Sequence, residues 1–159
     1  MAVEVSVGMA DIKLGRDGDV LATVLGSCIG VCLFSASHGA GGLLHLMMPT
    51  AGNNAAQPGI KKAKYADTGV PELVHSLKVS FGVQPKDLVA KIFGGAKVLQ
   101  NVERNIGAEN AVAVQAILKE YGIPLKAHKT GGERGYRIKF HTESGKVICQ
   151  VFGGPTEEY

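Results

Sequence analysis

The sequence predicts an α+β fold in a single domain spanning residues 1–159. Three observations predict it. Short runs rich in Val, Ile, Leu and Phe recur along the whole chain. Only two stretches place apolar residues at helical spacing. The chain also holds 22 glycines, the residue of tight turns and close backbone approach. Strands in the majority, interrupted by two helices, imply mixed or antiparallel sheets that form the core, with the helices packed outside them.

The elements follow in order. Residues 2–8 alternate apolar and polar and read as a strand. Residues 20–25, 28–34 and 42–48 are short and apolar and read as three more. The stretch 49–69, "PTAGNNAAQPGIKKAKYADTG", is rich in Gly, Asn, Pro and Ala. It is long for a loop in a compact domain, and such loops are commonly functional; it reads as a flap beside the active site. A first helix starts at Thr68 as N-cap, with Pro71 and Glu72 in its first turn. Val70, Leu73, Val74, Leu77 and Phe81 give its core stripe, and Gly82 stops it. Residues 88–93 form a further strand. A second helix covers 108–121, with Val114, Ile117, Leu118 and Tyr121 as its stripe and Gly122 and Pro124 beyond its end. Strands at 124–129, 135–142 and 146–152 complete the chain, the last two joined by the turn in "HTESGKV".

Composition excludes several function classes. The formal charge is +3, and Lys61, Lys62 and Lys64 make only a short basic knot without interleaved aromatics; nucleic acid is not an expected partner. No apolar run approaches the ~20 residues of a membrane helix, and the first residues lack signal-peptide anatomy. The expected location is the cytoplasm, without membrane insertion. Three cysteines make an odd count, which argues against a disulfide framework there. Cys28 and Cys32 are spaced C-x3-C, but no second Cys/His pair stands at ligand spacing, even counting His45 as a third ligand. No metal and no cofactor are expected. "GGAK" lacks the phosphate-loop spacing, and no G-x-G-x-x-G opens a helix.

The segment "TVLGSCIGVCLF", residues 23–34, sets a thiol at the mouth of an apolar run. Folding 28–48 as a hairpin centred between Ala36 and Ser37 puts Cys28 opposite His45. Directly opposed residues have Cβ atoms about 4.5–5.5 Å apart, which suits a thiol–imidazole pair. A one-residue slip would send the two side chains to opposite faces. The chemistry of such a pair is clear: the thiolate is the nucleophile, and an adjacent imidazole takes its proton and later returns one to a leaving amine. Gly26 and Ser27 allow a sharp turn that aims N–H groups at a developing oxyanion. Thr23, on the preceding strand, is the candidate that fixes the imidazole tautomer. The residues alone leave the bland reading standing beside this one. A cysteine at a strand start is commonly a small buried hydrophobe, and a lone histidine in an apolar strand is commonly a core residue. Cys32 and Cys149 read as core, and His38, His75, His128 and His141 as surface or turn residues.

The chain resembles the CheD family of chemoreceptor glutamine deamidases. The likeness rests on "LGSCIGVCL" around Cys28, "GGLLHLMMP" around His45, "KYADTGV", "KIFGGAKV", "NIGAEN" and "TGGERGYR", all in order. It implies hydrolysis of glutamine side chains in the cytoplasmic helical region of methyl-accepting chemotaxis receptors, giving glutamate and ammonia through a Cys thioester. It implies Cys28 as nucleophile, His45 as base and Thr23 as third member. In some family members it also implies the CheC phosphatase as partner. Two positions depart from the family pattern: Glu109 stands where arginine is common, and Lys129 where aspartate is frequent. Gly94, Gly95, Gly131 and Gly132 read either as close-approach positions near the site or as ordinary turns. A second functional reading stays open, a chemotaxis adaptor that binds receptors or CheC with little catalysis.

Overall fold

Alternation along the central strands decides the architecture. In Ala40–Leu46, Leu44 and Leu46 bury with one set of residues, while Leu43 and His45 point the other way. Both faces of this strand are therefore covered, and its apolar run is nearly continuous. The computed structural model, which describes residues 2–159, resolves this into three layers: helices, a sheet buried on both faces, and a second sheet with one face open.

The doubly buried sheet contains β2 (Asp11–Arg16), β5 (Ala40–Leu46), β4 (Ile29–Ser35), β6 (Val89–Gly94) and β7 (Leu125–Thr130), in that order. The open sheet runs β1 (Glu4–Ser6), β3 (Val20–Leu25), β8 (Tyr136–His141), β9 (Val147–Val151) and β10 (Thr156–Glu158). The pairs β1/β3 and β6/β7 are parallel and the others antiparallel. Helices α1 (Ala66–Phe81) and α2 (Ile106–Glu120) pack their apolar stripes on Ile29, Val31, Leu33, Leu44, Leu46 and Ile92. Between the sheets lies a second core, in which Leu21, Leu25, Cys32, Leu43, Phe93, Ile138 and Phe140 meet. The strict alternation of β8, buried at Tyr136, Ile138 and Phe140 and exposed between them, marks the open sheet.

Two strands escape the sequence reading. Both β2 ("DIKLGR") and β10 ("TEE") lie at sheet edges and are rich in charge; β10 is exposed throughout, and β2 offers the core only the part-buried Ile12 and Leu14, so they carry little apolar signal. The helix starts also differ. Tyr65, not Thr68, is the N-cap of α1, and the Thr68 hydroxyl instead donates to the Lys62 carbonyl at 2.6 Å. Asn105 caps α2, its side chain accepting from Ala108 N at 3.1 Å. The stop signal holds: Gly82 takes φ +72° just after α1.

Candidate active site

The site begins with a turn of four residues, 36–39. Ser35 pairs with Ala40, and Gly39 supplies a positive φ of 57°. Ser35 Oγ lies 2.8 Å from His38 Nδ1, which knits the turn together. The resulting register places Gly30, not Cys28, opposite His45. The expected pairing is thus displaced by two residues, because the turn is centred one residue later than the symmetric placement assumed. A displacement of two preserves the face. Cys28, just before β4, remains on the His45 side as a diagonal neighbour, at a typical separation of about 7–8 Å. No hydrogen bond joins Cys28 to His45 among the described residues.

His45 is instead bonded across the sheet interface. It is 3% exposed, and its Nδ1 lies 2.8 Å from Thr23 Oγ1 on β3. Thr23 is 7% exposed and donates its own hydroxyl proton to the Val7 carbonyl at 2.6 Å. A hydroxyl has one proton to give. With it committed to Val7, Thr23 accepts from His45, so the Nδ1 carries hydrogen and Nε2 carries the lone pair. That Nε2 is buried and has no partner among the described residues. Burial holds the imidazole below its ordinary 6.5, opposed by the Val7 carbonyl close by. The ring is neutral at pH 7, with a free basic nitrogen. Burial likewise pushes the Cys28 thiol above its ordinary 9.0, opposed by its own backbone N–H. Both groups rest uncharged, and the thiol is half-buried and free.

The Gly-Ser-Cys turn is held by its carbonyls. Those of Gly26 and Cys28 accept from Ala96 N at 3.0 Å and Gly95 N at 2.8 Å. That of Ser27 accepts from Asn110 Nδ2 at 3.0 Å. The N–H groups of Ser27 and Cys28 donate to no protein oxygen among the described residues, which leaves them available to an anion. Gly26 itself takes no positive φ, and a Cβ there would touch only Val98 methyls at 3.9 Å. The crowded glycines are elsewhere. At Gly94 (φ +104°) a Cβ would collide with the Cys28 carbonyl oxygen, and at Gly95 (φ +65°) it would lie 2.8 Å from the Gly107 carbonyl. Gly131 and Gly132 have positive φ without crowding, the first facing open space and the second an ordinary contact with the Tyr136 hydroxyl at 3.6 Å, so they are turn residues.

A groove of about 570 Å³ reaches His45 and Thr23 between Val7, Met9, Val24 and Arg137. Cys28 does not line it. Ser27 lines a smaller hollow of about 100 Å³ with Val98 and Asn105. The segment 49–69 lines neither, so it is no flap over these openings. It folds on its own ends instead, where the Asp67 carboxylate accepts from Thr50 Oγ1 at 2.7 Å and Ala51 N at 2.8 Å. Cys32 and Cys149 are buried in the inter-sheet core. Glu109 pairs with Arg104 at 2.8 Å on the surface, and Lys129 lies on β7 opposite Phe93. No group of three or more His, Cys, Asp or Glu could hold a metal among the described residues, and no helix is long and apolar enough to cross a membrane.

Two contributors were absent from the sequence reading. The Val7 carbonyl carries no side-chain signal. Asn110 left a faint one: an asparagine inside a helix is unfavourable, because its side chain competes for backbone partners.

Comparison with known proteins adds a second line of evidence. The model of the family described as "CheD chemotactic sensory transduction" matches residues 47–151. "Chemoreceptor glutamine deamidase CheD" of Thermotoga maritima is 38% identical over 149 residues, covering 93% of this chain and 92% of its own. A protein of Desulforamulus reducens described as "Probable chemoreceptor glutamine deamidase CheD" is 39% identical, covering 96% of this chain and 93% of its own. One of Caldanaerobacter subterraneus with the same description is 36% identical, covering 92% of each. Among solved structures, the Bacillus licheniformis hypothetical protein YfiH superposes with a TM-score of 0.50 at 13% identity, over 76% of this chain and 50% of that one. At that identity the likeness is one of fold alone.

Proposed function

This chain belongs to the CheD family, and on that premise we propose that it deamidates glutamine side chains of chemoreceptors, with Cys28 as nucleophile, His45 as base and Thr23 as its orienting partner. The observation that carries the mechanism is the free, buried Nε2 of a neutral His45 whose Nδ1–H is committed to Thr23.

The Cys28 proton passes to His45 Nε2 as sulfur attacks the carboxamide carbon. The resting thiol and imidazole are neutral, so this transfer accompanies attack instead of preceding it. Rotation of the two side chains brings sulfur and Nε2 together as an electrophile is attacked, the diagonal spacing lying within their reach while the backbone segments keep their separation. The oxyanion is received by the unpartnered N–H groups of Ser27 and Cys28, at the turn that Gly26 opens. The C–N bond breaks, His45 gives its proton to the departing ammonia, and a thioester remains. Water then loses a proton to Nε2 and attacks the thioester. The C–S bond breaks, the thiol is restored and glutamate leaves. No cofactor enters these steps.

We assign the substrate to the cytoplasmic helical region of methyl-accepting receptors, and a cytoplasmic location for the protein goes with that reading. The CheC phosphatase is a second proposed partner, tested by co-elution. The test of the reaction is intact-mass and peptide mapping of a receptor cytoplasmic fragment after incubation with wild-type protein or Cys28→Ala. Wild type is expected to convert glutamine to glutamate at discrete positions and the variant at none. No conversion by wild type of a receptor it binds would establish the adaptor reading instead.

A further inference from the structure

The two strands that carry the thiol and the imidazole part company at the site. The last pair of the β4/β5 ladder is Ile29 with Leu46. Beyond it, Met47 N and Met48 N both turn away to the Lys64 carbonyl, at 2.8 and 2.9 Å. The next rung would have tied the Cys28 turn to the end of the His45 strand, and one side chain stands in its place. Asn110, on α2 and fully buried, donates from Nδ2 to Ser27 O and to Met47 O, each at 3.0 Å. Ser27 immediately precedes Cys28, and Met47 lies two residues past His45.

Both hydrogens of the amide are thereby used, and its orientation is fixed, since a flip would set Oδ1 against two carbonyls. That Oδ1 is buried without a partner among the described residues, an unfavourable arrangement for a polar atom. Asparagine is also a poor residue for a helix interior. The side chain thus sits against its own preferences. What it gains is a single two-pronged donor spanning the two segments whose separation sets the sulfur-to-nitrogen distance.

We infer that Asn110 is a positioning residue for the deamidation, holding the Cys28 turn and the His45 strand at a fixed separation. The inference rests on the proposed Cys28–His45 pairing. Its test is the pH dependence of Cys28 alkylation by iodoacetamide, located by peptide mapping, in wild type, His45→Ala, Asn110→Ala and the double variant, with kcat, KM and Tm alongside. Asn110→Ala is expected to slow alkylation to the His45→Ala level, with no further loss in the double variant. kcat falls about 100-fold, the scale of a 1 Å misplacement, with KM within about twofold. Wild-type alkylation in a folded Asn110→Ala with a lowered Tm would overturn the inference, leaving a structural role only. Asn110→Leu keeps the volume without a charge and donates to neither carbonyl, so it gives the same readout if the alanine variant does not fold. If His45→Ala itself alkylates at the wild-type rate, the pairing fails first, and that result is distinguishable from failure at Asn110.

Discussion

Thr23 does two things with one oxygen: it gives its proton to Val7 and receives the proton of His45 Nδ1. Thr23→Val keeps the shape and removes both bonds, leaving a buried ring N–H unpaired. We expect kcat to fall about 10- to 100-fold, the scale of losing a bond that orients a ligand or base, while Thr23→Ser stays near wild type; steady-state kinetics of the two variants check this. Because burial lowers the His45 value from 6.5, the acid limb of kcat/KM is expected below pH 6.5, and a pH–rate profile with its limb at or above that value would contradict a buried neutral base. At this scale the sequence offered candidates and was silent about distance. Cys28, His45 and Thr23 came from their types, order and family resemblance, and the structure adds the Thr23–His45 contact. The separation of Cys28 from His45 was not legible, because it depends on where a turn of four residues closes.

At the scale of elements, the end of β6 presses on the nucleophile turn. A Cβ on Gly94 would enter the space of the Cys28 carbonyl oxygen, at a φ of +104°. Gly94→Ala is therefore expected to cost more than the ~1–3 kcal/mol of an unfavourable φ alone, because the collision adds to it, and to abolish activity. Gly131→Ala, strained in φ but free of collision, should cost only about 1–3 kcal/mol and retain turnover. Thermal melts and ammonia release from the two variants compare them. The four glycines looked alike in the sequence and separate only once neighbours from distant parts of the chain are in place. The same holds for the helices. Their apolar stripes and glycine stops were readable, whereas their starts were not: α1 begins after Tyr65, which makes no side-chain cap bond, and α2 after Asn105, whose side chain caps it. Of the edge strands, β10 was missed because it buries nothing, and β2 because Ile12 and Leu14 are its only large apolar residues among charges.

For the whole molecule, buried titratable groups bound the stable pH range. The unfolded chain takes a proton on His45 below 6.5 that the native ring resists, so stability falls as pH drops from 6.5 toward the native value. Burial pushes the Cys149 thiol from 9.0 up to about 11. The unfolded thiol ionises first, and stability falls as pH rises from 9.0 toward 11. Tm should be level between these limits and decline on both sides, and Cys149→Ala should soften the alkaline decline; melts across pH would show it. The three-layer arrangement was foreseeable in class, from strands in the majority and two helices. Its sheet order was not, since pairing β3 with β8 joins residues more than a hundred positions apart. That pairing makes the site depend on distant chain: Thr23 lies on β3, whose antiparallel neighbour β8 is supplied by residues 136–141. A fragment that holds the thiol, imidazole and hydroxyl but lacks β8 leaves one side of β3 without its hydrogen-bonded partner. The reactive groups are thus local in sequence, while the frame that aims them is not.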